Sequence, residues 1–240
     1  MSTYKLYNKR QLQAIAEGLL QQYRDKIPQE SSKDFDVYQV IEKCLEENGK
    51  EIEYDWKRLS CDGSILGMTA FQSGNIDVFE DINGNPVDNP RRLWVDRGTI
   101  IIDSSLPDNG PKGRENFTVM HEVFHWLLHQ EFFTPRGKSI AIAKRIDKFS
   151  SKDKPHKKFK TPLESVEWQA NYAAACFLMP EREVSAAFNR LYSITKNHYL
   201  EKSWLKGSVK LLAEGFNVTS EAMLYRIQEL KEKGMLITRT

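Results

Sequence analysis

The chain has 240 residues, of which 40% are hydrophobic and 28% charged, with a formal net charge of +2. That length suits one large domain or a medium domain beside a small one, and the composition supplies a stable core. So balanced a charge excludes a polyanion binder of the whole-surface kind, and no apolar run approaches the roughly 18 residues that cross a bilayer.

Leu12, Ile15, Leu19 and Leu20 recur at helical spacing in NKRQLQAIAEGLLQQYRDKI, which stops at Pro28, so a first amphipathic helix is expected there. The opening MSTYKLYNKRQLQ has no apolar core of a secretory signal, and none is expected. A second helix, FDVYQVIEKCLEENG, runs to the stop signal Asn48-Gly49. From Glu51 to Asp103 the runs EIEYDW, ILGMTAF, NIDVFED, LWVD and TIIID alternate with turn formers such as Asn83-Gly84, predicting a small, largely antiparallel sheet. A helix follows from about Arg114 to Gln130. Next comes a connection with ten Lys/Arg against two acids between Arg136 and Lys160, expected to be a mobile basic loop. Thr161-Pro162-Leu163-Glu164 reads as a capping box with proline at the first helical position, opening a helix that ends before Pro180. The remainder is helical, with breaks near Asn197 and Gly215–Asn217. Cys44, Cys61 and Cys176 are odd in number and scattered, which excludes a disulfide framework and a cysteine metal site. Three buried or half-buried thiols in a reducing, cytoplasmic setting are expected.

His121-Glu122-Val123-Phe124-His125 carries the chemistry. Residues four apart share a helix face, so the two histidines offer two imidazole nitrogens to one zinc ion. Glu122 lies about a third of a turn round, placed to act on a water molecule as base. Phe117, Met120, Phe124, Leu127 and Leu128 flank the histidines and Val119, Val123 and Trp126 cover the other side, so the helix is expected to be buried. Three of the five histidines lie within nine residues. His129 is the nearest third donor, but it sits about 12 Å from His121 along a straight helix. It is expected to be a supporting or core residue. The third helix offers Glu164 and Glu167. The capping box occupies Glu164, so Glu167 is favoured, on a face shared with Asn171. Two helices giving HExxH and a single glutamate form the gluzincin arrangement.

Four blocks, GMTAF (67–71), VDRGTIIID (95–103), NFTVMHEVFHWLLH (116–129) and EWQANYAAACFLMP (167–180), resemble in order the ImmA/IrrE family of metallo-endopeptidases. The resemblance implies an α+β, zincin-like peptidase domain over about residues 1–185. Its zinc would be held by His121, His125 and Glu167, with Glu122 as catalytic acid/base. It also implies a substrate, since known members cut helix-turn-helix repressors and so relieve repression. The long basic insertion departs from the family pattern.

An extended substrate could pair with the TIIID strand. Tyr172 is a candidate oxyanion donor, with packing as its ordinary alternative. Residues 186–240 form a second region whose SVKLLAEGFNVTSEAMLYRI outline resembles a helix-turn-helix. Its would-be recognition helix opens on Glu221 and carries few Lys/Arg, so direct DNA binding is not expected. The competing reading is a non-catalytic binding protein that docks a transcription factor or DNA; an intact Glu122 argues against it.

Overall fold

The structure is a computed structural model and describes residues 5–27, 36–47, 50–106, 112–134, 142–146, 159–195 and 201–237. Helix α1 (Lys9–Lys26) starts on Asn8, whose side chain accepts from Gln11 N while Gln11 reaches back, and it buries Leu12, Ala16, Leu19, Leu20 and Tyr23 along one stripe. Helix α2 is shorter than its sequence pattern: it spans Val37–Cys44, capped by Asp36, and yields to a two-residue strand β1 (Glu46–Glu47) paired with β2 (Lys50–Glu51).

The next strands are β3 (Tyr54–Lys57), β4 (Ile65–Ala70), β5 (Gly74–Glu80), β6 (Pro86–Val95) and β7 (Ile100–Asp103). Helices α3 (Lys112–Leu128) and α4 (Gln130–Phe133) follow, then strand β8 (Ile142–Ile146). Four of these strands form one mixed sheet in the order β3-β7-β4-β8, while β5 and β6 make a separate hairpin closed at Asn83-Gly84. Among the described residues only β3 with β7 is parallel, so the largely antiparallel character holds.

Two expectations change here. TIIID is interior: β7 pairs with β3 on one side and β4 on the other, so it offers no free edge to a substrate. The basic connection is not wholly a loop, because five of its residues form β8 on β4; residues 136–141 and 147–158 lie outside the described residues.

Alternation along β7 gives the sheet two apolar faces. Ile100 and Ile102 enter the core shared with the helices, whereas Ile101 packs with Met68, Ala70, Ile76, Val78 and Val95 under the hairpin. In β4 a bulge between Ile65 and Gly67 sends Leu66 into the helical core although Met68 faces the hairpin.

Helix α3 lies on the sheet. Against it packs α5 (Pro162–Leu178), which in turn packs on α1. Thr161 Oγ1 accepts from Glu164 N at 3.1 Å; the Glu164 carboxylate reaches Lys160 N at 2.7 Å, not the capping residue itself. Helices α6 (Glu181–Thr195), α7 (Glu201–Gly215) and α8 (Ser220–Glu232) complete the chain. Their turn docks on the start of α3. A Cβ added at Gly113 would lie 2.5 Å from the Val218 backbone, so only glycine allows this approach. Arg226 of α8 is buried and donates to Met179 O (2.9 Å), Glu229 (2.8 Å) and Gln13 (3.0 Å), tying α8 to the ends of α5 and α1. No helix among the described residues is long and apolar enough to cross a membrane. Cys44 and Cys176 are buried as expected, but Cys61 is exposed.

Candidate metal centre

Helix α3 is buried because it is apolar nearly all round: Val119, Met120, Val123, Phe124 and Trp126 are at most 2% exposed. Leu127 departs from the expectation and faces solvent at 41% exposure. Along this helix His121 and His125 stack one turn apart, with rings at 78° and their Nε2 atoms 2.9 Å apart. Glu167 enters from α5, its Oε2 3.2 Å from His121 Nε2 and its Oε1 3.3 Å from His125 Nε2.

All three donor atoms lie within 4.8 Å of one another. An ion with bonds of about 2.0–2.1 Å to nitrogen and oxygen separates tetrahedral donors by roughly 3.3 Å, so the donor edges here fit a divalent ion. The three side chains leave a fourth tetrahedral direction for another ligand.

Electrostatics favour the charged form of Glu167, the form that can bind a metal. Burial by itself would raise the Glu167 carboxyl, but its contacts with His121 and His125 hold it well below the usual carboxylate range. The two imidazoles are oriented from behind. Asn171 Oδ1 is 3.1 Å from His121 Nδ1, and His129 Nδ1 is 2.9 Å from His125 Nδ1. Burial, reinforced by the neighbouring histidines, depresses the His129 pKa to about 2, so its ring is neutral and its Nδ1 can accept the His125 proton. His129 therefore supports His125 and does not join the donor cluster.

Glu122 is held against β4. Thr69 Oγ1 donates to its Oε2 at 2.6 Å, and a Cβ at Gly67 would lie 2.9 Å from its Cγ and Oε1. Gly67 and Thr69 belong to the GMTAF block, yet nothing local in the sequence marks them as partners of Glu122, 53 positions beyond Thr69. Periodicity places Asn171 beside Glu167 but assigns it no role. Tyr172 is engaged elsewhere: its hydroxyl donates to Glu229 at 2.5 Å, and Glu164 is held by Lys160 N, so neither joins the cluster.

A buried helix with two histidines a turn apart, met by a carboxylate from a second helix, is a centre of the metal-dependent hydrolase class. A family model described as the IrrE N-terminal-like domain, a peptidase family, matches residues 73–228. The match covers most of the chain and includes both site helices; the protein belongs to the ImmA/IrrE family of metallopeptidases. Among curated proteins, none matches the chain.

Proposed function

We propose that the chain is a cytoplasmic zinc-dependent endopeptidase that cuts a regulatory protein, a helix-turn-helix repressor, and so relieves repression. The observation that carries this reading is the convergence of His121, His125 and Glu167 donors within 4.8 Å, beside a buried Glu122 fixed by Thr69. Zinc is the ion of choice for two imidazoles and one carboxylate with an open position and no thiolate. When bound there, it supplies Lewis acidity, polarising a scissile carbonyl and lowering the pKa of water from about 15.7 towards roughly 7.

The chain's own residues do the rest. Glu122 accepts the proton of the attacking water and delivers it to the leaving amine. The Thr69 hydroxyl holds one carboxylate oxygen of Glu122 in place, which restrains the base against β4. Asn171 and His129 keep the imidazole rings in one orientation. In this reading residues 1–185 form the zincin-like peptidase domain, and 186–240 a helix-turn-helix-like region that packs instead of reading DNA. Supporting that role, Arg226, one of two basic residues in α8, is buried in contacts with Met179, Glu229 and Gln13. The repressor substrate rests on the family resemblance.

The test compares purified wild type with Glu122→Gln. Both should hold one equivalent of zinc, and only the wild type should cleave a repressor encoded beside its gene. Normal de-repression by Glu122→Gln, without cleavage by either protein, would instead establish the non-catalytic binding protein, and normal cleavage by Glu122→Gln would refute Glu122 as the base.

A further inference from the structure

Strand β4 is the wall on which the Glu122 end of the site rests: Thr69 donates to Glu122, and Gly67 abuts its side chain. A peptide attacked beside Glu122 has to pass in extended form, and the natural guide for an extended backbone is a strand edge. β4 has two edges. One is paired with β7; the other faces β8.

β8 runs antiparallel in the register Gly67↔Arg145, Met68↔Lys144, Thr69↔Ala143 and Ala70↔Ile142, and it also lies against α3. The backbone positions that an extended peptide would take beside Glu122 are thus filled by the chain itself. We propose that β8 is an intramolecular occupant of the peptide-binding edge of β4, which keeps the resting protein self-blocked until an extended polypeptide displaces it.

Two features make β8 the displaceable partner. Its ladder is five residues long, interrupted by the bulge between Ile65 and Gly67, and has no strand beyond it among the described residues. Edge ladders of that kind open locally at far lower cost than interior strands such as β7. It also belongs to the run from Arg136 to Lys160, with ten Lys/Arg against two acids, whose like charges repel when held together. A peptide of lower positive charge escapes that repulsion.

The proposal rests on the peptidase reading for the meaning of the edge, but strand exchange can be measured without catalysis. In Lys144→Pro/Arg145→Pro the prolines stand at consecutive positions, so one of the two lost N–H groups pointed at β4. The probe is a fluorescein-labelled peptide of residues 139–148, read by anisotropy on chains that also carry Glu122→Gln. The double-proline chain should bind it at least about tenfold more tightly than the Glu122→Gln chain alone. Equal affinities overturn the proposal.

A second measurement begins with the unmodified protein, whose folding is not in question. In the unmodified protein the amides of 142–146 should exchange at least about tenfold faster than those of 100–103, and excess unlabelled peptide should raise the protection of 65–70 in the double-proline chain. Exchange in β8 as slow as in β7 also sinks it. Failure of the peptidase reading would appear separately, in zinc content and in cleavage by Glu122→Gln.

Discussion

Gly67→Ala isolates the contact between the sheet and the proposed base. The added methyl would sit 2.9 Å from Glu122 Cγ, Glu122 Oε1 and Thr118 Cγ2. Carbon atoms pack best at about 3.5–4.0 Å, so one partner must retreat by roughly 0.6 Å or more. Helix α3 is buried over most of its length and cannot shift freely, so the mobile end of Glu122 gives way and its 2.6 Å bond from Thr69 loosens. Overpacking of this kind costs about 1–3 kcal/mol, and each kcal/mol lowers Tm by about 2–4 °C at this chain length. A reacting group displaced by about 1 Å costs on the order of a hundredfold, so kcat should fall by about ten- to a hundredfold. None of the three crowded atoms belongs to His121, His125 or Glu167, so zinc content should stay at the wild-type value. Peptide hydrolysis, metal stoichiometry and thermal melting measured on one preparation decide the matter. Adding Thr118→Ser removes one of the clashing atoms, and it should recover part of the stability but none of the kcat. Unchanged kcat in Gly67→Ala, or a loss that merely tracks lost metal, would refute the reasoning.

Asn171→Ala removes the partner of His121 Nδ1 and should weaken zinc binding about 10- to 100-fold in a chelator competition, leaving the melting temperature of the metal-free protein nearly unchanged. Tyr172→Phe should cost about 1 kcal/mol through the lost bond to Glu229 while kcat/KM holds steady; a large fall in kcat would restore Tyr172 as an oxyanion donor. Glu229 is half-buried, which alone would raise its carboxyl, but Tyr172, Arg226, Lys233 and Lys9 hold it below the ordinary value of 4.5. Its ionised form therefore contributes stability that is present above pH 4.5 and lost as the pH falls through the depressed value. Glu229→Ala should lose about 3 kcal/mol at pH 7, read by urea unfolding, and the deficit should close in acid below pH 4.5.

Much of this was legible in the sequence because it depends on local periodicity. The shared face of His121 and His125, the pairing of Glu167 with Asn171 and the stripe of α1 all follow from 3.6 residues per turn, and the cap at Thr161 follows from its hydroxyl and the proline after it. What was not legible is non-local. TIIID reads as a strand, but nothing within it says that β3 and β4 cover both of its edges. Glu122 needs a hydroxyl and a glycine from a strand 53 positions upstream, and no spacing rule connects them. Leu127 fits the apolar pattern of α3 yet lies near the helix end, where the cover runs out. β8 was hidden by its Lys/Arg neighbours, since composition marked the whole stretch as loop.

The division of labour around α3 explains why these perturbations should separate. His121 and Glu122 are adjacent residues, set about 100° apart on one helix, so the same element turns its donors to α5 and its carboxylate to β4. A movement of α3 would disturb both together. A movement of α5 would disturb only the donors, through Glu167 and Asn171, while a movement of β4 would disturb only the base, through Gly67 and Thr69. Metal affinity and kcat are then distinct readouts of two packing interfaces that share one rigid helix. Were Gly67→Ala to release zinc, or Asn171→Ala to lower the kcat of the fully loaded protein, α3 would not be the fixed reference, and Glu122 and the donors would have to be treated as one coupled unit.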